Sequence, residues 1–119
     1  MTLRRCTASK MNEELCSWPA TRLRQAIARR DLSPVEVVQA VLQRADRLQD
    51  RLNCFVTICH DEALREARAA ESALMRGEPL GLLHGIPYAC KDLVNTRAVR
   101  TTLGSKLYAA NVPARRRTP

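Results

Sequence analysis

Aromatic residues are scarce in this chain, at 3% of 119 residues. A core must therefore be built from Ala, Val, Leu and Ile, and few rings are available to stack on nucleic-acid bases. Glycine occurs four times and never in a run. No stretch approaches the roughly 18 apolar residues of a membrane span. Met1 to Lys10 holds no apolar segment of the kind a secretory leader needs. Cysteine occurs five times, an odd number that argues against a disulfide framework. These absences point to a soluble protein in a reducing cytoplasm.

What is present fits one ordinary domain. Apolar residues make up 45% of the chain, enough to expect a folded core rather than disorder. The net charge is +8, carried by 17 Arg and 3 Lys against 12 acidic residues. Arg24, Arg29, Arg44, Arg47, Arg65 and Arg68 alternate with apolar and acidic residues, which reads as solvated helix faces. The dense run is Arg115-Arg116-Arg117. Nucleic acid is therefore not the expected partner, and a small basic binding module is kept only as an alternative.

Residues 1–16 read as a loose, polar start. Met11 is a second candidate initiator, which would make the first ten residues an upstream extension. A first helix is expected from about Ala20 to Arg30, with Leu23, Ala26 and Ile27 as its apolar stripe. Ser33-Pro34-Val35-Glu36 then places Ser at the N-cap, Pro at N1 and Glu at N3. The helix that follows is expected from about Pro34 to Arg51, with Val37, Val38, Val41, Leu42, Ala45, Leu48 and Leu52 on its buried side. Cys54 to Cys59 is short, apolar and β-branched, and predicts a strand. A third helix is expected from about Glu62 to Arg76, closed by Gly77. Pro79, Gly81 and Gly85 mark a loop, and Ile86 to Cys90 predicts a second short, buried strand ending at Lys91. The order indicates an α/β chain with an incomplete mixed sheet. Two strands with open edges make it marginal as a lone domain. Trp18 reads as a hydrophobic anchor for the first helix.

The chemistry lies in Leu83-His84-Gly85-Ile86-Pro87-Tyr88-Ala89-Cys90-Lys91-Asp92, followed by Thr101-Thr102-Leu103-Gly104-Ser105-Lys106. A lysine directly after an apolar run is hard to place on a purely solvated face. This pattern resembles the lysine segment of the amidase signature family. Leu32-Ser33-Pro34-Val35-Glu36 and Leu52-Asn53-Cys54-Phe55-Val56 are similar to upstream features of the same family, with Cys54 in place of Ala. The resemblance covers about Leu15 to Pro113.

The resemblance implies hydrolysis of a small-molecule carboxylic amide through an acyl-serine. In that scheme a serine attacks the carbonyl, a second serine held by a cis peptide bond relays the proton, and Lys91 is the general base. No cofactor or metal is implied. A free lysine has a pKa near 10.4, so about 1 in 2,500 is neutral at pH 7. A downward shift of about 3 units on burial raises that share to roughly 30%. A buried Lys91 is therefore expected; the plainer reading is a structural lysine paired with Asp92 or another acid.

The sequence departs from the family beyond that point. Its serines are Ser9, Ser17, Ser33, Ser72 and Ser105, and none matches either family serine. A base without a nucleophile cannot run acyl transfer, so the chain alone is expected to be inactive, and a complementing serine-bearing polypeptide is a candidate partner. The amidase portion is expected to span 17–113, with 114–119 a basic tail that reads as truncated or frameshifted sequence. Gly104-Ser105-Lys106 and Asp92-Leu93 favour a general amidase over the amidase subunit of a tRNA-dependent amidotransferase. A non-enzymatic remnant is the alternative from another class.

Other groupings are weaker. Ser105 with Lys91 has no family precedent as a dyad, and a capping role suits Ser105 better. Cys54, Cys59, His60 and His84 lack metal-ligand spacing. Cys90 with His84 is set aside as a nucleophile pair because Cys90 is expected to point into the core. Tyr88 and the Gly85-Ile86-Pro87 turn either border a substrate channel or pack in the core.

Overall fold

A computed structural model describes residues 13–114. Met11 and the Arg115-Arg116-Arg117 run lie outside the described residues. Among the described residues, residues 13–15 are helical and are followed by α1 (Ala20–Ala28), α2 (Pro34–Leu52) and α3 (His60–Met75), with a 3₁₀ turn, η1 (Lys106–Tyr108).

The helix boundaries follow from local chemistry. At the start of α2 the Val35 N–H donates to Ser33 Oγ at 2.9 Å, and the Ser33 N–H donates to Glu36 Oε2 at 3.0 Å. This is the reciprocal capping box that the sequence spells. The Ser33 hydroxyl also donates to Glu71 Oε1 on α3 at 2.5 Å. Ser33→Ala removes both bonds, and a lost cap alone costs about 0.5–2 kcal/mol. The expected loss is about 1–2 kcal/mol in urea unfolding; a change below about 0.3 kcal/mol would show that the cap contributes nothing.

The C-termini of α1 and α3 close alike. Gly77 has φ +72°, and its N–H donates to Leu74 O while the Glu78 N–H reaches Ala73 O. After α1, Arg30 takes φ +64°, with Arg30 N–H to Ile27 O and Asp31 N–H to Ala26 O. Both are Schellman closures. The Arg30 guanidinium then donates to Leu74 O at 3.3 Å, which fastens the end of α1 to α3. The α3 helix begins at His60, earlier than its sequence signal. His60 Nε2 there meets the Asp46 carboxylate of α2 at 2.9 Å.

The described residues divide into two compact units: residues up to Leu52 with His60–Pro87, and Asn53–Cys59 with the stretch from Tyr88 onward. In the first unit α2 packs on α3. Its core joins Leu15, Leu23, Ile27, Val37, Ala40 and Leu74, with Trp18, Leu32 and Ile86 packed against them. Leu15, in the segment expected to be loose, is buried. Trp18 anchors α1 as expected, and Arg22 lies 3.7 Å over its ring. Gly85 has φ +73°, and a Cβ there would sit 2.9 Å from Pro34 Cγ. The loop at Gly85 thus rests directly on the start of α2.

The second unit is held by hydrogen bonds rather than by a core. Arg100 donates to Ala109 O at 2.6 Å and to Val56 O at 3.3 Å. Thr101 N–H donates to Asn111 O at 3.0 Å, and Asn111 Nδ2 returns a bond to Thr101 O at 2.9 Å.

The two expected strands are not there. Among the described residues the chain is helix and loop, with no sheet. A strand exists only through a ladder partner, and an apolar run cannot supply its own. Pro87 also removes a ladder donor from the Ile86–Cys90 run, a signal present in the sequence. The α/β reading is corrected to a helical first unit and a loop-built second one.

Candidate active site

The backbone places Lys91 at the start of a turn, with the Val94 N–H donating to Lys91 O at 2.9 Å. Its neighbour Asp92 organises what surrounds it. The Asp92 carboxylate accepts from the Thr102 N–H at 2.8 Å, from the Thr102 hydroxyl, and from the Gly104 N–H at 3.3 Å. The Asp92 carbonyl accepts from the Leu103 N–H at 3.1 Å. Donors from three successive residues therefore converge on one aspartate. Both sequence segments that carry chemistry meet at this point, inside the second unit.

The gripped segment is a tight turn, closed by Ser105 N–H to Thr102 O at 2.9 Å. Leu103 has φ +54° and Gly104 φ +68°. Two successive positive φ angles are what a type I′ turn requires. Glycine adopts them freely and leucine does not, so the bonds to Asp92 hold Leu103 in a strained region. Thr102 is buried, so its hydroxyl needs a partner, and Asp92 is that partner.

These bonds favour the ionised carboxylate. The Thr102 hydroxyl contributes most, then the Thr102 N–H; partial burial opposes them, and the Gly104 N–H and the Arg100 charge add to the stabilisation, holding the Asp92 pKa below its ordinary value. Because the folded pKa is lowered, the unfolded chain binds the proton more readily, and stability rises with pH. The contribution is present above the ordinary aspartate range of about 3.9 and is lost as pH falls through the lower folded value. Amide-exchange protection at Thr102 and Gly104 is therefore expected to hold at pH 6 and to fall as the pH is lowered through the depressed Asp92 pKa. Asp92→Asn should lower that protection at neutral pH and flatten its acid dependence. Equal protection in both proteins across that range would remove Asp92 from this role.

With the Asp92 carboxylate engaged by Thr102 and Gly104, the plainer reading of Lys91 as its ion-pair partner loses its basis. Among the described residues Lys91 makes no ion pair. The expected burial of Lys91 is corrected as well, since Tyr88, Ala89, Cys90 and Lys91 are all exposed. The apolar run has no sheet to cover it. Cys90, expected in the core, is exposed for the same reason.

The other candidates have structural roles. Ser105 Oγ accepts from the Leu107 N–H at 3.3 Å and caps η1. Ser17 and Ser72 donate to the carbonyls of Glu13 and Arg68 one helical turn back. His84 Nε2 lies 2.8 Å from Ala70 O. A carbonyl only accepts, so that nitrogen carries the hydrogen and ties the loop to α3. Among the described residues no three His, Cys, Asp or Glu side chains are grouped to hold a metal. Ile86 packs against the core while Tyr88 is exposed. No described helix is long and apolar enough to cross a membrane.

Asp92 and Thr102 are the site residues that sequence reasoning undervalued. Their signal was a carboxylate followed by a Thr-Thr-Leu-Gly turn, whose open N–H groups an aspartate readily accepts from.

The sequence profile of the Amidase family matches residues 36–116. The A subunit of the glutamyl-tRNA(Gln) amidotransferase of Salinispora tropica is 43% identical over 96 residues, covering 81% of this chain and 20% of the relative. The same subunit of the Methylococcus capsulatus amidotransferase is 46% identical over 85 residues, covering 71% of this chain and 17% of the relative. That of Moorella thermoacetica is 38% identical over 100 residues, covering 84% and 20%. The chain thus spans about a fifth of the length of the curated relatives it matches. The matched region contains most of α2, the Lys91 segment and the Asp92-held turn, and the chain belongs to the Amidase family.

Proposed function

We propose that this chain supplies the general-base lysine of an amidase that hydrolyses carboxylic amides through an acyl-serine. One observation carries the reading: the carboxylate beside Lys91 is engaged by Thr102 and Gly104, and among the described residues the lysine makes no ion pair. A salt-bridged lysine is held in its charged form; one left out of such a pair can become a base where water is excluded.

The serines would come from polypeptide corresponding to the rest of the relatives. The attacking hydroxyl adds to the amide carbon as its proton passes through the second serine to the neutral Lys91 Nζ. That proton returns to the departing nitrogen as the C–N bond breaks, and water then cleaves the ester by the same route. Asp92 acts as a positioning residue, fixing the Lys91 backbone to the 102–105 turn.

The names of the relatives favour a narrower reading, in which this chain corresponds to part of the A subunit of a glutamyl-tRNA(Gln) amidotransferase. This reverses the weighting that Gly104-Ser105-Lys106 suggested. The basic-module alternative loses support because several arginines are engaged within the chain. Arg24 donates to Gly81 and Leu80 carbonyls, Arg30 to Leu74, and Arg47, Arg65 and Arg76 to glutamates.

The test joins this chain, by co-expression, with the part of the Salinispora tropica relative that follows its matched segment. Release of ammonia from glutamine or a simple amide is expected from the pair and not from either chain alone. Turnover by the 119-residue chain alone, or by the pair after Lys91→Met, would defeat the assignment.

A further inference from the structure

Lys91 stands on a frame that lies within the second unit. Its carbonyl closes a turn with Val94, and its neighbour Asp92 is held by Thr102, Leu103 and Gly104. Leu103 and Gly104 hold positive φ angles, and such a conformation persists only where its surroundings enforce it. Among the described residues the buried apolar side chains belong to the first unit. Polar bonds must therefore hold the 102–105 turn in place.

The segment entering that turn is tied down residue by residue. The Ala98 N–H donates to Pro113 O at 3.0 Å, and Thr101 exchanges two bonds with Asn111. Arg100 lies between these positions, directly before the two buried threonines. Its Nε donates to Ala109 O at 2.6 Å, and its Nη1 donates to Val56 O at 3.3 Å, 44 residues away in the chain. One planar group thus joins three segments: the entrance to the turn, the residues after η1, and Asn53–Cys59. Two donors at a fixed angle suit that task, and a lysine ammonium has no such fork. Carbonyl oxygens occupy the donors without cancelling the charge, and that charge still favours the ionised Asp92 carboxylate.

We propose that Arg100 is a positioning residue for the Lys91 base, acting through Asp92 and the turn that Asp92 grips. This rests on the reading of Lys91 as the base and deepens it by naming a residue on which the placement of that base depends. Arg100 acts in two ways. Its fork sets where the turn stands, and its charge keeps Asp92 ionised so that the Thr102 and Gly104 donors stay engaged. A base displaced by about 1 Å can lose about 10²-fold in rate. A loosened turn is therefore read in turnover rather than in substrate affinity.

Two variants separate the fork from the charge. Arg100→Gln keeps a donor and loses the charge; Arg100→Lys keeps the charge and loses the fork. Arg100 is exposed, so neither change opens a cavity. In the full 119-residue chain, amide exchange followed by NMR should show protection at Thr102 and Gly104 lowered at least about fivefold at pH 6 in Arg100→Gln. Its acid limb should move to higher pH, because without the neighbouring charge the Asp92 carboxyl takes up its proton more readily. Arg100→Lys should also lower protection at pH 6 but keep the parental acid limb. Val37, whose N–H donates to Ser33 O at the start of α2, is the reference and should not change. In the co-expressed pair described above, kcat per folded complex should fall about 10–100-fold in Arg100→Gln, with KM within about twofold of the parent. Arg100→Lys should recover part of that loss. Unchanged protection at Thr102 and Gly104 in Arg100→Gln, an equal loss at Val37, or a kcat within about twofold of the parent overturns the proposal. Lys91→Met separates the two readings: turnover that survives it removes the base, while the exchange data still decide whether Arg100 holds the turn.

Discussion

Lys91→Met, assayed in the assembled amidase, is expected to lower amide turnover by about 10²–10⁴-fold, the range for loss of a positioned general base. Methionine keeps much of the length and removes the amine. Lys91→Arg is the sharper variant. It keeps a positive charge on a long stem, yet a guanidinium does not give up its proton in a protein and offers no lone pair. It should therefore be as inactive as Lys91→Met. An electrostatic role would predict the opposite, since charge alone would then suffice. Lys91 is exposed and makes no ion pair among the described residues, so neither change removes packing. The stability of the chain should stay within about 0.5 kcal/mol of the parent. Steady-state kinetics on the pair and a urea melt of the chain check both halves. More than a tenth of parental turnover in Lys91→Arg would sink the base assignment.

The helices were legible because their signals are local. Ser33, Pro34 and Glu36 lie within one turn of each other, and their capping bonds form whatever the rest of the chain does. Gly77 closes α3 by the same kind of short-range geometry. The strands were not legible as absent, because an apolar run specifies a wish for burial and not the partner that supplies it. Cys54–Cys59 and Ile86–Cys90 carry that wish without a ladder, and the exposed Tyr88 and Val56 are its visible result. Only Pro87 argued locally against pairing.

The candidate site divides along the same line. Lys91 stood out from its decamer. The engagement of Asp92 depends on the turn at 102–105, ten residues further on, and two positive φ angles have to be in place before those N–H groups converge. The plainer of the two sequence readings paired Lys91 with Asp92 or another acid, whereas tertiary structure gave the aspartate a different set of donors. The same non-locality hid Leu15, a core residue in a polar-looking start.

Gly85→Ala is expected to destabilise the first unit by about 2–5 kcal/mol, from two separable causes. The first is conformational. Gly85 has φ +73°, and an L-residue in the left-handed region costs about 1–2 kcal/mol. The second is steric. The new Cβ would lie 2.9 and 3.1 Å from Pro34 Cγ and Cβ, and 3.3 Å from Ile27 Cδ1. Pro34 and Ile27 are among the most deeply buried side chains, so neither has room to retreat, and overpacking of that kind costs about 1–3 kcal/mol. Gly77 provides the control, because it has φ +72° with nothing within 4 Å of a built Cβ. Gly77→Ala should show the conformational cost alone, and its difference from Gly85→Ala in urea unfolding measures the clash. Pro34→Ala in the Gly85→Ala background should recover part of that difference, because removing the ring opens the contact. Such recovery would establish that the loop at Gly85 is registered against the start of α2 by this contact. If Gly85→Ala costs no more than Gly77→Ala, the loop does not rest there, and the local geometry that delivers the chain toward Lys91 must be set by the His84 bond to Ala70 instead.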